Sequence, residues 1–508
     1  MTKPAMSFYS VGLAFLLLAA TLQSPAQVSV TTQHNDLNRS GANLSETILT
    51  KTNVNVNTFG LKFRLTVDNQ VYAQPLVLSG VSIGGGTHNV VYVVTTNNSV
   101  YAFDADTGTP YWHVNLGTPI SNVNYGRRCL DINGNAGIVG TPVIDTANNT
   151  IYVSNSLNQG GVFSFMLHAL NLSTGADNAG SPVQITTSGF TALTQNQRAA
   201  LVLANGNIYV PFSSHCDMGT YHGFLFSYNP TSLALNAVFN TSPTGNGDSL
   251  WMSGQGPAVD SSGNIYFATS NGTWDGVSNF SESFMKLSPN LSLLDWFTAA
   301  NHATLDGSDL DLNTSGPLLI PGTNRMFLVG KSKTGYVIDT GSLGHLGDTT
   351  AIQKVTLSGA LHGSAVYFNS PVNGPEVYTW AINDTLKAFK FNGNDLNLPN
   401  FQAGAEVISG NPAAFLSISA NGSANGIVWA NALLSGDANH LTQPGVLRAY
   451  DADNIATELY NNQQNAARDT CNNYAKNGYV TIANGKVYLP SFGTASNGSG
   501  QVCVYGIL

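Results

Sequence analysis

Charged side chains are scarce: only 9% of the 508 residues are Asp, Glu, Lys or Arg, against about 25% in an average soluble domain. That excludes a coiled coil or long-helix protein, whose helical faces need charge. Basic residues are the scarcer kind, 19 against 28 acidic, for a net charge of −9. Nothing here makes the electrostatic footprint of a nucleic-acid or anionic-lipid binder. Long hydrophobic runs are missing too. The apolar stretch Val11 to Leu22 is too short to span a bilayer, and nothing later is longer. Cysteine is limited to 4 residues, with no Cys-x-x-Cys-His and no zinc-like Cys/His spacing, so neither covalent haem nor structural zinc is expected. Disorder is excluded as well, because 43% of the chain is hydrophobic.

What the chain does have is small polar residues, glycine (52 copies) and aromatics, a composition suited to strands and tight turns. Residues 1–26 read as a signal peptide, with Lys3, the apolar core Val11 to Leu22 and the small-residue site Ser24-Pro25-Ala26. No cysteine adjoins that site to take a lipid anchor, so the mature chain is expected to be secreted or periplasmic. Four cysteines in an exported chain point to two disulfides, with Cys129–Cys216 and Cys471–Cys503 the pairing favoured by loop placement.

The strongest signal is an internal repeat. An apolar pair, usually apolar-aromatic, recurs at Val91-Tyr92, Ile151-Tyr152, Ile208-Tyr209, Ile265-Tyr266, Met326-Phe327, Val377-Tyr378, Ile427-Val428 and Val487-Tyr488, at intervals of 50 to 61 residues. Most copies follow an Asn- or Gly-containing turn, and a second apolar strand follows each. Alternation at period two between turns means antiparallel strands. Such a unit cannot bury both faces alone, so the units must stack radially. The expectation is an all-β, eight-bladed propeller of four-stranded antiparallel blades over residues 59–508, preceded by an extended arm over 27–58. The last blade shows three strands of its own, and Phe59 to Val67 is expected to supply its fourth and close the ring.

Short turns fall on one face of such a ring and long loops on the other, and function concentrates on long loops over a rigid scaffold. His215, Asp217, His222, Trp251, Asn271, Trp274, Asp275, His302, Asp306, Asp309 and Asp311 all fall on long segments, with Lys331 close behind. Asp217, Asn271 and Asp309 or Asp311 offer hard oxygen donors for a cation such as Ca²⁺. Gly330-Lys331-Ser332 lacks the earlier glycine of a phosphate-binding loop, and His215 and His222 do not have a zinc spacing.

Ala102 to Trp112, reading A-F-D-A-D-T-G-T-P-Y-W, resembles the blade motif of the pyrroloquinoline quinone (PQQ) dehydrogenase superfamily, and Asn35 to Gln74 is similar to that family's opening. The likeness is nearer to its exported PQQ-like repeat proteins than to a characterised dehydrogenase. It implies Trp251 as the floor under PQQ, Lys331 as a quinone contact, Asp217 and Asn271 as Ca²⁺ ligands, and Asp309 or Asp311 as the catalytic base. The chain departs from the pattern in four ways. Asp217 stands for a glutamate, Ser270 for a glycine, the Asp309-Leu310-Asp311 spacing is one residue short, and the adjacent Cys-Cys pair is absent. The reading is thus a PQQ- and Ca²⁺-dependent dehydrogenase of alcohols or sugars that passes electrons to a separate acceptor. The alternatives are a non-catalytic envelope scaffold binding a small molecule, glycan or protein on the same face, or a polysaccharide hydrolase or lyase using Asp309, Asp311 and a histidine. A monomer is expected.

Overall fold

The computed structural model describes residues 1–2, 27–126, 129–132, 134–493 and 499–508. The segment read as a signal peptide lies almost wholly outside them. The described residues form eight antiparallel blades. Blade 1 is Leu76–Ile83, Gly86–Val94, Ser99–Asp104 and Pro110–Asn115. The others follow in chain order, with innermost strands beginning at Val143, Val202, Ala258, Leu318, Val366, Ala414 and Thr481. In blade 8 the strand Phe59–Val67 pairs antiparallel with the C-terminal strand Gly500–Ile507. Among the described residues no helix is long and apolar enough to cross a membrane.

Local chemistry sets the hairpins. Asn205-Gly206 and Asn484-Gly485 all take positive φ, between 53° and 74°, as the tightest strand-to-strand turns require. Valine, isoleucine and aromatics on both strand faces then bury against the neighbouring blades. The core is accordingly divided into eight main apolar clusters, one at each junction between successive blades. The junction of blades 8 and 1 joins Tyr488, Val502 and Val504 to Val91, Val93 and Phe103.

The recurring tyrosine has a specific task. The phenol of Tyr92 donates to the carbonyl of Leu172 in the next blade (3.0 Å). Tyr152 does the same to Pro230 (2.9 Å), Tyr209 to Pro289 (2.8 Å), Tyr378 to Ala452 (2.9 Å) and Tyr488 to Ala105 (3.1 Å). Each bond ties one blade to the outer turn of its neighbour while satisfying a hydroxyl that would otherwise be buried unpaired. Trp112 adds its indole N–H to the same Leu172 carbonyl (3.0 Å).

The N-terminal arm threads the inner ring. Thr31, Leu37, Asn38, Ser40 and Gly41 each offer a carbonyl to an innermost-strand amide, namely those of Ile144, Val259, Leu319, Tyr367 and Ile418. Arg39, fully buried, donates to the carbonyls of Pro257 (2.9 Å) and Gln33 (2.5 Å). Gln33 in turn accepts from the Gly256 amide (3.3 Å). The arm therefore braces the turn that follows Trp251.

Candidate functional site

The long loops meet in a cavity of about 540 Å³, bounded by the segments that lead into the innermost strands of several blades. That volume is suited to an organic molecule of ordinary cofactor size. Asp217, Trp251, Asn271, Asp309, Asp311 and Lys331 all line it.

Three oxygen-bearing side chains form one wall. The Asn271 amide nitrogen lies 3.4 Å from Asp217 Oδ2, and the Asn271 backbone N–H lies 3.4 Å from Asp311 Oδ1. Asn271 Oδ1 is buried and has no hydrogen-bond partner. Ser214 Oγ and the Tyr221 phenol both donate to Asp217 Oδ1, at 2.8 and 2.5 Å. Burial and that carboxylate push the Tyr221 phenol up, so it remains a donor. Orienting hydrogen bonds of this kind are what a cation's ligands receive from their surroundings. An orphaned carbonyl oxygen beside two carboxylates fits a hard cation.

Lys331 Nζ bridges Asp309 Oδ1 (2.9 Å) and Asp311 Oδ2 (2.6 Å). Burial opposes the lysine's charge, but the Asp311 and Asp309 carboxylates outweigh it and hold its pKa above the ordinary value. Burial pushes the Asp311 carboxyl up, against the pull of Lys331. The two carboxylates differ in access: the Asp309 side chain is 67% exposed and that of Asp311 only 5%. The Lys331 N–H also donates to the Asp311 carbonyl (3.0 Å). Gly330 permits this approach, since a Cβ there would stand 2.6 Å from that same carbonyl oxygen.

Trp251 lies half-buried at the cavity wall, with Lys331 Nζ 5.8 Å from its ring centre and His362 6.2 Å away. It leads into the tight turn Met252–Gly254, which is fixed by the Ser253 hydroxyl on the Thr314 carbonyl (2.6 Å). Backbone strain gathers around the wall. Cys216, Asp217, Asp248, Ser253, Glu282 and Asp309 all hold φ between 45° and 61°, a region that costs a non-glycine residue about 1 kcal/mol or more.

Behind the wall stand carboxyls that carry no motif in the sequence. Asp306 accepts the Gly272 amide (2.7 Å), Asp248 that of Phe280 (3.0 Å) and Glu282 that of Leu312 (2.6 Å). Burial raises the Asp248 carboxyl to about 9. Burial and then Asp311 raise Glu282 well above its ordinary value. Burial thus disfavours the ionised form of both, and their oxygens fix the backbone beside Asn271 and Asp311.

Some residues singled out in the sequence do not line the cavity. His215 is buried against Tyr125 (4.5 Å), and burial lowers its imidazole to about 3. His222 lies 3.1 Å from the Ser242 hydroxyl. Trp274 stacks on His302 (4.3 Å), and Asp275 accepts the amides of Val277, Ser278 and Asn279. These are turn and packing roles. Both disulfides are present, Cys129–Cys216 and Cys471–Cys503. Cys216 reaches the cavity beside Asp217. Among the lining residues not singled out in the sequence are Arg198, His362 and Lys476. Like Trp251 and Asp311, each stands a few residues ahead of an innermost strand, a positional signal that the repeat register contained.

No protein-family model matches the chain, and no curated protein sequence matches it. Solved structures do. A quinohemoprotein alcohol dehydrogenase from Pseudomonas putida HK5 superposes with a TM-score of 0.63 at 14% identity, covering 94% of this chain and 80% of that one. One from Comamonas testosteroni gives 0.65 at 15% identity, over 96% and 81%. A europium-containing methanol dehydrogenase gives 0.61 at 13% identity, over 95% and 98%. At these identities the likeness shows a shared fold, that of the quinoprotein propellers.

Proposed function

We propose that the chain is an exported dehydrogenase that uses PQQ and a hard cation to oxidise an alcohol or sugar hydroxyl. The observation that carries this reading is the buried, unpartnered Asn271 Oδ1 beside the carboxylates of Asp217 and Asp311, in a cavity of about 540 Å³ that Trp251 also lines. Asp217, Asn271 and Asp311 would hold the cation, and Trp251 would offer its face to the quinone, with Lys331 beside it. When bound, the quinone supplies a hydride acceptor and the cation an electrophile for its carbonyl.

The chain's own residues account for the rest. Asp309 is open to the cavity, and Lys331 engages only its Oδ1. Its Oδ2 can therefore take the substrate hydroxyl proton. Lys331 keeps Asp309 oriented for that task. Asp311, buried and adjacent to Asn271, is placed to bind the cation. Glu282 and Asp248 hold the surrounding backbone so that neither wall must reorganise during the reaction. Electrons would leave to a separate acceptor, and the two disulfides fit an oxidising compartment.

The test is reconstitution of the purified chain with PQQ and either Ca²⁺ or Eu³⁺, followed by dye reduction over a panel of alcohols and sugars. Asp309→Asn should lower turnover by about 10²-fold or more while PQQ still binds. Absence of saturable PQQ binding together with absence of dye reduction would overturn the proposal.

A further inference from the structure

Three arginines are buried among the described residues: Arg39, Arg198 and Arg448. Arg39 donates through Nε and Nη1 to the Pro257 and Gln33 carbonyls, leaving only Nη2 without a partner, and Arg448 pairs with Glu406 and Glu458. Arg198 is different. It is 6% exposed and lines the cavity, yet no hydrogen bond or ion pair to it is found among the described residues. Its one defined contact is the ring of Tyr72, 5.0 Å from the guanidinium carbon. Lys476, 8% exposed, lines the same cavity and donates to the Asn439 carbonyl. Two acids act on this wall: Asp131, half exposed and engaged by His440 at 3.2 Å, and Asp437, exposed to solvent.

An unpaired guanidinium cannot escape its burial cost by losing a proton, and that cost is several kcal/mol. A fold that keeps one facing a cavity is completed by an anion from outside. Stacking on Tyr72 leaves the planar edge of the guanidinium free, and that edge matches a carboxylate through two parallel N–H bonds. Burial lowers the Lys476 ammonium to about 8, so it remains largely charged at neutral pH. The opposite wall, with Asp217, Asp309 and Asp311, would repel a compact dianion more than a single carboxylate.

We infer that Arg198 and Lys476 form a carboxylate-binding subsite, and that the organic ligand of this cavity carries a carboxylate directed away from the Asp217–Asn271–Asp311 wall. This goes beyond the quinone reading and can be tested without it. Benzoate and its uncharged isostere benzamide are titrated into the full chain in EDTA, by calorimetry. Benzoate is expected to bind about tenfold tighter or more, and Arg198→Met or Lys476→Met to erase that preference. Unliganded Arg198→Met should melt no lower than wild type, because methionine removes a buried unpaired charge. A lower melting temperature, equal binding of the two probes, or tighter binding of phenyl phosphate than of benzoate would overturn the inference.

Two further arms identify the source of the carboxylate. If it belongs to the quinone, Arg198→Met weakens PQQ binding. If it belongs to the substrate, PQQ binding is unchanged and the KM of a hydroxy acid rises relative to that of a neutral alcohol. Either result supports the subsite. Failure of PQQ to bind in a chain that still prefers benzoate would sink the quinone reading alone.

Discussion

Replacing Lys331 by methionine removes the cation that bridges Asp309 and Asp311. Breaking a fully buried ion pair costs about 3–5 kcal/mol, because one charge is left uncompensated. The Lys331 side chain is 24% exposed and Asp311 5%, so the low end applies, about 3 kcal/mol at pH 8 in metal-free protein. The sign of the pH dependence follows from Asp311. Its carboxyl is already raised above the ordinary value by burial, and losing Lys331 raises it further. A carboxyl whose pKa is raised by folding costs nothing below its unfolded-state pKa, and the cost grows with pH until it is complete above its folded-state pKa. The penalty should therefore shrink as pH falls, by at most about 1.4 kcal/mol per pH unit. Lys331's own contribution is present below its unfolded pKa and lost only in strongly alkaline solution, so it is constant over this window. Urea unfolding in EDTA should show a difference from wild type of about 3 kcal/mol at pH 8 and a smaller one at pH 5. A pH-independent loss, or none, would refute the account of the Lys331–Asp311 pair.

Asp217→Asn and Asn271→Ala should each weaken Eu³⁺ binding by about tenfold or more, read by the metal's luminescence, without lowering the stability of metal-free protein. Gly272→Ala places a Cβ about 2.1 Å from Asp248 Oδ1, so it should displace the Asn271 backbone and abolish measurable Eu³⁺ binding. Retained affinity would show that the close approach is unimportant. The double variant Cys129→Ser, Cys216→Ser frees a loop closed over a sequence separation of 87 residues. The chain-entropy estimate of the lost stability is about 4–5 kcal/mol, and Eu³⁺ affinity should fall with it, because Cys216 adjoins Asp217. A fall in stability with unchanged affinity would confine the disulfide to a structural role.

Much of the ring was legible because its repeat is a local pattern with a physical cause. In five of the eight copies the aromatic that recurs every 50 to 61 residues is a tyrosine that ties a blade to its neighbour, whereas Tyr266 donates to Asp260 in its own blade. The Met326-Phe327 and Ile427-Val428 copies lack a hydroxyl and so cannot make that bond. Asp309, Asp311 and Lys331 were legible for a similar reason, standing close in sequence on either side of one strand pair. Arg198, His362 and Lys476 were not. Each stands among residues without a motif, and its burial arises only when loops hundreds of residues apart converge. Asp248 and Glu282 escaped notice because their role is to accept backbone amides, which any exposed acid in a turn can also do.

The claim that matters most is that one cavity holds a cation and PQQ together. Its most direct test is an equilibrium titration of PQQ into the purified chain, with Ca²⁺ present and then with EDTA. The account predicts saturable one-to-one binding that weakens sharply when the cation is chelated. The same loss should follow Asp217→Ala, Asn271→Ala or Trp251→Ala with the cation present. PQQ binding that is absent, or indifferent to both the cation and these three residues, would contradict it.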